Sequence, residues 1–344
     1  EKEKPLYEQI IALYDTLAIT TDAKAREAVQ LRINEVSLEA AKYAAPDEFS
    51  NLIQGIGGEG LNAFTAYDVT CYMNSFPAYQ MERWLTLYAD RLTNPVFRSF
   101  QAELENVFEE YNMYLDDNST HSRNFIFGKL YEGHAYARDI IGYAEDLKNP
   151  KLRKLIDFYD TWYVPNNMAL ILVGDFDIEA TKPLIEKTFG KLQARPLPAR
   201  TKYPTTAFAQ DERYSAKLGY MPELYIAYNG VPVGDKDELL LDFLGEILSN
   251  SMQIGLLDEL TLDNKLMYAG AMNDIRRDQG RFIVVAVPYM DAETQTYTSL
   301  KETENLVNEA IQQLVNGNIS EELVEAVRQN FYQEFDRTME YPAM

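Results

Sequence analysis

Residues 102–112 read Ala-Glu-Leu-Glu-Asn-Val-Phe-Glu-Glu-Tyr-Asn, and within them Glu103 and Glu110 stand seven apart with Val107 between. At about 3.6 residues per turn the three fall on one helical face over two turns. Acids on an inward face need a partner, because burying an unpaired carboxylate is costly. A cation would supply one. The same stripe, flanked by Glu105 and Glu109, also reads as a solvated acidic face, the usual place for a charge run. Spacing alone leaves both readings open.

The upstream residues narrow the choice. Gly57-Gly58-Glu59-Gly60-Leu61-Asn62-Ala63-Phe64-Thr65 leads into Asp68-Val69-Thr70-Cys71-Tyr72-Met73-Asn74-Ser75-Phe76. Next comes a run with Met81, Trp84, Leu85, Tyr88, Ala89 and Leu92 at helical spacing, closing on Asp90-Arg91-Leu92-Thr93-Asn94-Pro95. This order resembles the pitrilysin/insulinase metallopeptidases, the inverted zincins. Their pattern has an Asn-Ala-x-Thr strand, an Ala-Asp-x-x-x-Asn-Pro helix end and a Glu-x-x-x-Val-x-x-Glu helix. The likeness continues through Tyr163-Val164-Pro165-Asn166-Asn167-Met168 and Val173-Gly174-Asp175 into the second half of the chain. It implies that Glu110 is a zinc ligand and Glu103 its supporting acidic neighbour. It also implies that Asn62, Ala63, Phe64 and Thr65 form an edge strand that takes up a peptide backbone by adding it to the sheet.

One part of that pattern is absent. The family draws its other two ligands and its general base from His-x-x-Glu-His on an earlier helix, where the histidines at i and i+4 share a face and the Glu polarises the bound water. This chain has two histidines, His121 and His134, and neither begins that motif. Both also follow Glu110, whereas the motif precedes it. The general base is therefore expected before Glu1, and the chain as it stands is expected to be inactive alone. Glu-Lys-Glu-Lys-Pro at the start reads as a cut, and so does Tyr341-Pro342-Ala343-Met344 at the end.

Composition bounds the rest. A chain of 344 residues with 46% hydrophobic and 12% aromatic residues has ample material for two folded cores. No apolar run approaches the roughly 18 residues of a membrane span. The net charge of −22 argues against nucleic acid and anionic membranes as partners. Cys71, the single cysteine, excludes an internal disulfide and reads as a buried, inert thiol in a strand. Phosphate loops, a nucleophile elbow and an EF-hand spacing are all missing.

Along the chain, apolar residues at a 3.6-residue period predict helices over 5–19 and about 22–45, with Asp22 as the N-cap. A short helix opens at Pro46-Asp47-Glu48-Phe49 and stops at Gly57-Gly58. Residues 61–66 and 69–76 alternate as two antiparallel strands. Helices are expected over 77–93, 99–116, 120–131, 149–162 and 178–189, a buried strand over 168–173, and a loop around His134. Pro196, Pro198 and Pro204 mark an extended linker. Beyond it, strands are expected over 212–218, 223–231, 266–276 and 280–289. Helices are expected over 235–248, 252–262, 291–316 and 320–338.

The resulting expectation is an α+β protein with two homologous α/β-roll domains. Residues 1–192 form a zinc-peptidase-like domain with a helical insertion over about 5–56, residues 193–210 a linker, and residues 211–344 a second, zinc-free domain. The resemblance implies part of a zinc-dependent endopeptidase hydrolysing peptides or small unfolded proteins. Its cofactor would be zinc, and its partners a peptide substrate and a C-terminal half or homologous subunit. Large bacterial members of the family with such an insertion are commonly exported. The alternative is a non-catalytic peptide-binding or scaffold homologue.

Overall fold

The computed structural model describes residues 2–204 and 206–340. Glu1 and residues 341–344, at the two ends read as cuts, lie outside the described residues. In chain order the helices and strands are α1 (Lys4–Ile19), α2 (Ala23–Ala41), α3 (Glu48–Gly55), β1 (Glu59–Thr65), β2 (Thr70–Ser75), α4 (Met81–Thr93), α5 (Phe100–Leu115), α6 (Asn118–Leu130), α7 (Ala144–Lys148), α8 (Leu152–Trp162) and α9 (Ile178–Thr188). Then follow β3 (Leu224–Asn229), α10 (Glu238–Leu248), α11 (Asp258–Leu262), β4 (Leu266–Asp274), β5 (Arg281–Pro288), β6 (Met290–Asp291), β7 (Thr296–Tyr297), α12 (Leu300–Val315) and α13 (Glu321–Glu340). Mixed helix and antiparallel sheet match the α+β expectation. Two compact units result, Glu1–Asp116 with Asp139–Lys202, and Asp117–Arg138 with the residues from Tyr203 onward.

In the first unit α1 and α2 form the expected helical hairpin. Asp22 caps α2 by accepting the Ala25 N–H at 2.9 Å. Arg26 closes the end of α1, donating to the carbonyls of Leu17 and Thr20 at 2.8 and 2.9 Å, groups a helix C-terminus otherwise leaves unmet. Tyr14, Leu17, Ile33, Val36 and Leu152 make the core of this hairpin with α8. A second core gathers Ile53, Met81, Trp84, Leu85 and Tyr88 between α3 and α4. The polar tips of its aromatic rings are satisfied by one acceptor. Asn74 Oδ1 takes the Trp84 indole N–H at 3.0 Å and the Tyr88 hydroxyl at 2.7 Å. Gly58 has to be glycine, since a Cβ there would sit 2.8 Å from the Ile53 carbonyl oxygen.

Residues 168–173 are not the buried strand their apolar run suggests. They pair with no strand among the described residues, and Ile171 and Val173 are 78% and 69% exposed. An apolar run marks a segment suited to a sheet, but pairing makes the strand, and no ladder reaches it here.

In the second unit β5 lies between β3 and β4, all antiparallel. Every residue of β5 is buried. Phe282, Val284 and Ala286 face a core shared with α10, α12 and α13. Ile283 points the other way, onto Leu130, Tyr131 and Tyr136. Covering both faces explains why β5 reads as a continuous apolar run rather than an alternation. Arg281 at its start is 1% exposed. Its guanidinium donates to the Leu130 carbonyl from Nε and Nη2 at 3.1 and 2.9 Å, and to Thr206 Oγ1 at 2.7 Å. Burial pulls its pKa down from the ordinary arginine value, and these acceptors are what keep so dry a cation in place.

Three further expectations in this unit need correction. Residues 212–218 form no strand and are exposed but for the half-buried Leu218. The helix expected over 252–262 shrinks to α11, because Gln253 adopts φ 58° and Gly255 packs against the Leu248 carbonyl. The helix expected from 291 begins only at Leu300. Asp291 Oδ1 accepts the N–H groups of Glu293 and Thr294 at 2.9 and 2.8 Å, and this local turn holds 291–297 in the β6–β7 hairpin.

Candidate functional site

Helix α5 carries the acidic stripe. Glu103 and Glu110 are exposed, Val107 is half-buried, and no residue of α5 is fully buried. The stripe therefore faces outward within its unit, as a solvated acidic face would. Glu110 is nonetheless held, since Tyr114, one turn on, donates its hydroxyl to Oε1 at 3.0 Å. Sequence reasoning missed Tyr114, although its i+4 spacing from Glu110 was the available signal.

The histidines have other occupations. His134 is a loop residue, as expected, but a buried one. Its Nδ1 accepts the Tyr136 N–H at 3.2 Å, Nε2 lies 3.7 Å from Asp278 Oδ2, and the ring packs against Tyr136 and Tyr203. His121 lies half-buried on α6. Among the described residues no three His, Cys, Asp or Glu side chains cluster as a metal site would need. A structural or catalytic zinc takes at least three protein donors, usually with imidazole or thiolate among them. One carboxylate with an oxygen already hydrogen-bonded does not fit that requirement, so these residues alone do not make a zinc site.

The hairpin β1–β2 is better formed. The turn closes with the Ala66 N–H donating to the Val69 carbonyl at 2.8 Å. Working back along the ladder, Thr65 faces Thr70, Phe64 faces Cys71, Ala63 faces Tyr72 and Asn62 faces Met73. Hydrogen-bonded and open pairs alternate in an antiparallel ladder. Phe64 and Asn62 are then the bonded positions, and the N–H and C=O groups of Ala63 and Thr65 point to the other edge. The Ala63 N–H confirms this parity, because it donates to the side chain of Asn62 at 2.8 Å rather than to β2. That edge of β1 has no partner among the described residues, and Asn62, Ala63, Phe64 and Thr65 are all exposed. The four residues singled out in the sequence thus share one open strand edge.

Two neighbours stiffen the hairpin. Tyr72 and Tyr163 share a hydroxyl hydrogen bond at 2.9 Å, and burial together with that bond pushes the Tyr72 pKa above its ordinary value. The Arg91 guanidinium lies 5.2 Å over the Tyr72 ring and 4.4 Å over Phe49. Cys71, opposite Phe64, is half-buried rather than buried.

The family model described as the peptidase M16 inactive domain matches residues 151–331, and that described as insulinase (peptidase family M16) matches residues 34–143. The chain belongs to the M16 peptidase family. It is 23% identical over 265 residues to the zinc protease PqqE of Helicobacter pylori, covering 74% of this chain and 59% of that protein. It is 28% identical over 158 residues to the probable zinc protease PqqL of Escherichia coli, covering 44% of this chain and 17% of that one. The chain thus spans under two thirds of the length of these relatives. In structure it resembles a protease from Helicobacter pylori with a TM-score of 0.73 at 22% identity, covering 85% of this chain and 71% of the other. The M16 resemblance read from the sequence holds, and zinc is a property of the relatives' names rather than of a site formed here.

Proposed function

We propose that this chain is the peptide-capturing part of an M16 zinc endopeptidase acting on peptides or small unfolded proteins. The observation that carries the reading is the one-sided ladder of β1. Ala63 and Thr65 turn their backbone donors and acceptors to an open edge, and an extended peptide can add there as a further strand. Such capture uses main-chain hydrogen bonds and so tolerates many side-chain sequences, which suits a peptidase of unfolded substrates.

In this reading Glu110 offers one carboxylate to a zinc whose remaining donors and general base come from residues outside this chain. Glu103 supports it from two turns back, and Tyr114 orients its carboxylate. By sequence, residues 1–192 are the zinc-peptidase-like domain, residues 211–344 its zinc-free homologue and 193–210 the linker, while 117–138 fold as part of the second compact unit. A second half or homologous subunit completes the enzyme. The chain alone binds peptide without cleaving it.

A non-catalytic, peptide-binding homologue is the second reading, favoured by the exposure of Glu103 and Glu110 and by the absence of a three-donor cluster among the described residues. Both readings need the β1 edge. The test is fluorescence anisotropy with a labelled, extended, uncharged peptide. Saturable binding that is lost when β1 is blocked supports capture, and no binding at millimolar peptide refutes both. A longer protein carrying a histidine pair then separates them, since only the enzyme retains zinc and cleaves.

A further inference from the structure

A cavity of about 320 Å³ lies in the first unit, and no β1 residue lines it. Tyr7 and Ile10 of α1, Leu38 and Ala41 of α2, Phe97 of the loop before α5 and Phe100 of α5 give it apolar walls. Ligand sites for small molecules fall in this size range and have this apolar character, with few polar groups. An apolar cavity of about 150 Å³ accepts benzene, so twice that volume has room for a two-ring molecule.

Two of the three charged groups on its wall are matched to each other, and the third, Glu105, has a neutral partner. Arg98 donates to both oxygens of Glu3, from Nε at 2.6 Å and from Nη2 at 2.9 Å, and these bonds hold the Glu3 carboxyl below its usual range. Gln101 donates to Glu105 Oε1 at 2.8 Å while its own Oε1 accepts the Tyr14 hydroxyl. An anionic ligand would meet an arginine already engaged by Glu3 and the carboxylate of Glu105, which is unfavourable. Asn34 and Ser37 add uncharged polar groups to the same wall. From this charge balance we infer that the cavity is a binding site for an aromatic molecule without negative charge, of about a dozen non-hydrogen atoms or fewer, bearing one hydrogen-bonding group.

Indole is the probe, with indole-3-acetate as the anionic comparator on the same ring. Calorimetric titration of the whole chain should give one saturable indole site with a Kd of roughly 10 µM to 1 mM, the range small apolar ligands reach. Indole-3-acetate should bind at least about tenfold more weakly. Ala41→Trp and Ala44→Trp each place a ring in the cavity from an exposed or half-buried position, so the fold should survive. Either should abolish indole binding while leaving peptide capture at β1 unchanged. Absence of saturable indole binding overturns the proposal. So does binding that persists in both filled variants, or tighter binding of indole-3-acetate than of indole.

Discussion

Ala63→Pro is the sharpest test of the β1 edge. Proline removes the Ala63 N–H, and that group makes no bond to β2; its described acceptor is the exposed side chain of Asn62. The hairpin therefore keeps its ladder, and its cost is the strain of setting φ near −65° in a strand, about 1 kcal/mol or less. Asn62, the preceding residue, is already extended, as a residue before proline prefers to be. A captured peptide, by contrast, loses one backbone hydrogen bond, worth about 0.5–1.5 kcal/mol net, which raises its Kd about 2–13-fold. Phe64→Pro is the paired control. Its N–H is a ladder donor toward Cys71, and removing it costs about 1–3 kcal/mol in the hairpin itself. Anisotropy with a labelled peptide measures capture, and thermal melting followed by circular dichroism measures fold. Weakened binding at an almost unchanged Tm for Ala63→Pro, with a lowered Tm for Phe64→Pro, is the expected pair. If Phe64→Pro melts like the parent while Ala63→Pro unfolds, the parity assigned to β1 is inverted and the reasoning fails.

Asn62→Ala should free the Ala63 N–H from its own side chain and tighten peptide binding by a few fold, about 0.5–1 kcal/mol; weaker binding would mean that Asn62 contacts the peptide directly. In a longer protein that retains zinc, Glu110→Gln should abolish metal retention and cleavage, and Glu103→Gln should cost about 10–100-fold. Glu109→Gln, about 100° round the helix, should behave like the parent; activity counts and elemental analysis decide, and a reversed order would shift the ligand by one residue. Acid stability should show the Arg213–Glu304 pair. Hydrogen bonds from Arg213 and Lys301 hold Glu304 at about 2 against an ordinary 4.5. Its contribution is thus fully present above pH 4.5 and is lost as pH falls from 4.5 toward 2. Arg213→Ala should flatten the stability profile within that window, and an unchanged urea midpoint across it would show that the pair is idle.

Much of the architecture was legible locally. The period of apolar residues marked α1, α2 and α4, and Asp22 announced the cap of α2. Alternation marked the β1–β2 hairpin, and the Glu-x-x-x-Val-x-x-Glu stripe with the Asn-Ala-x-Thr strand pointed to the family. These features are legible because each depends on neighbours within a few residues. Pairing does not. Alternation tells which side chains share a face, but the direction of the Ala63 N–H depends on where β2 sits and how the turn closes. The same limit turned 168–173 from an expected buried strand into an exposed, unpaired segment, and left 291–297 out of a helix through the Asp291 turn. Arg281 could not be read as a core residue from its type, because only acceptors brought from Leu130 and Thr206 make a dry guanidinium tolerable. The cavity wall joins Glu3, Leu38 and Arg98, residues that only the packing of α1 and α2 against the start of α5 brings together.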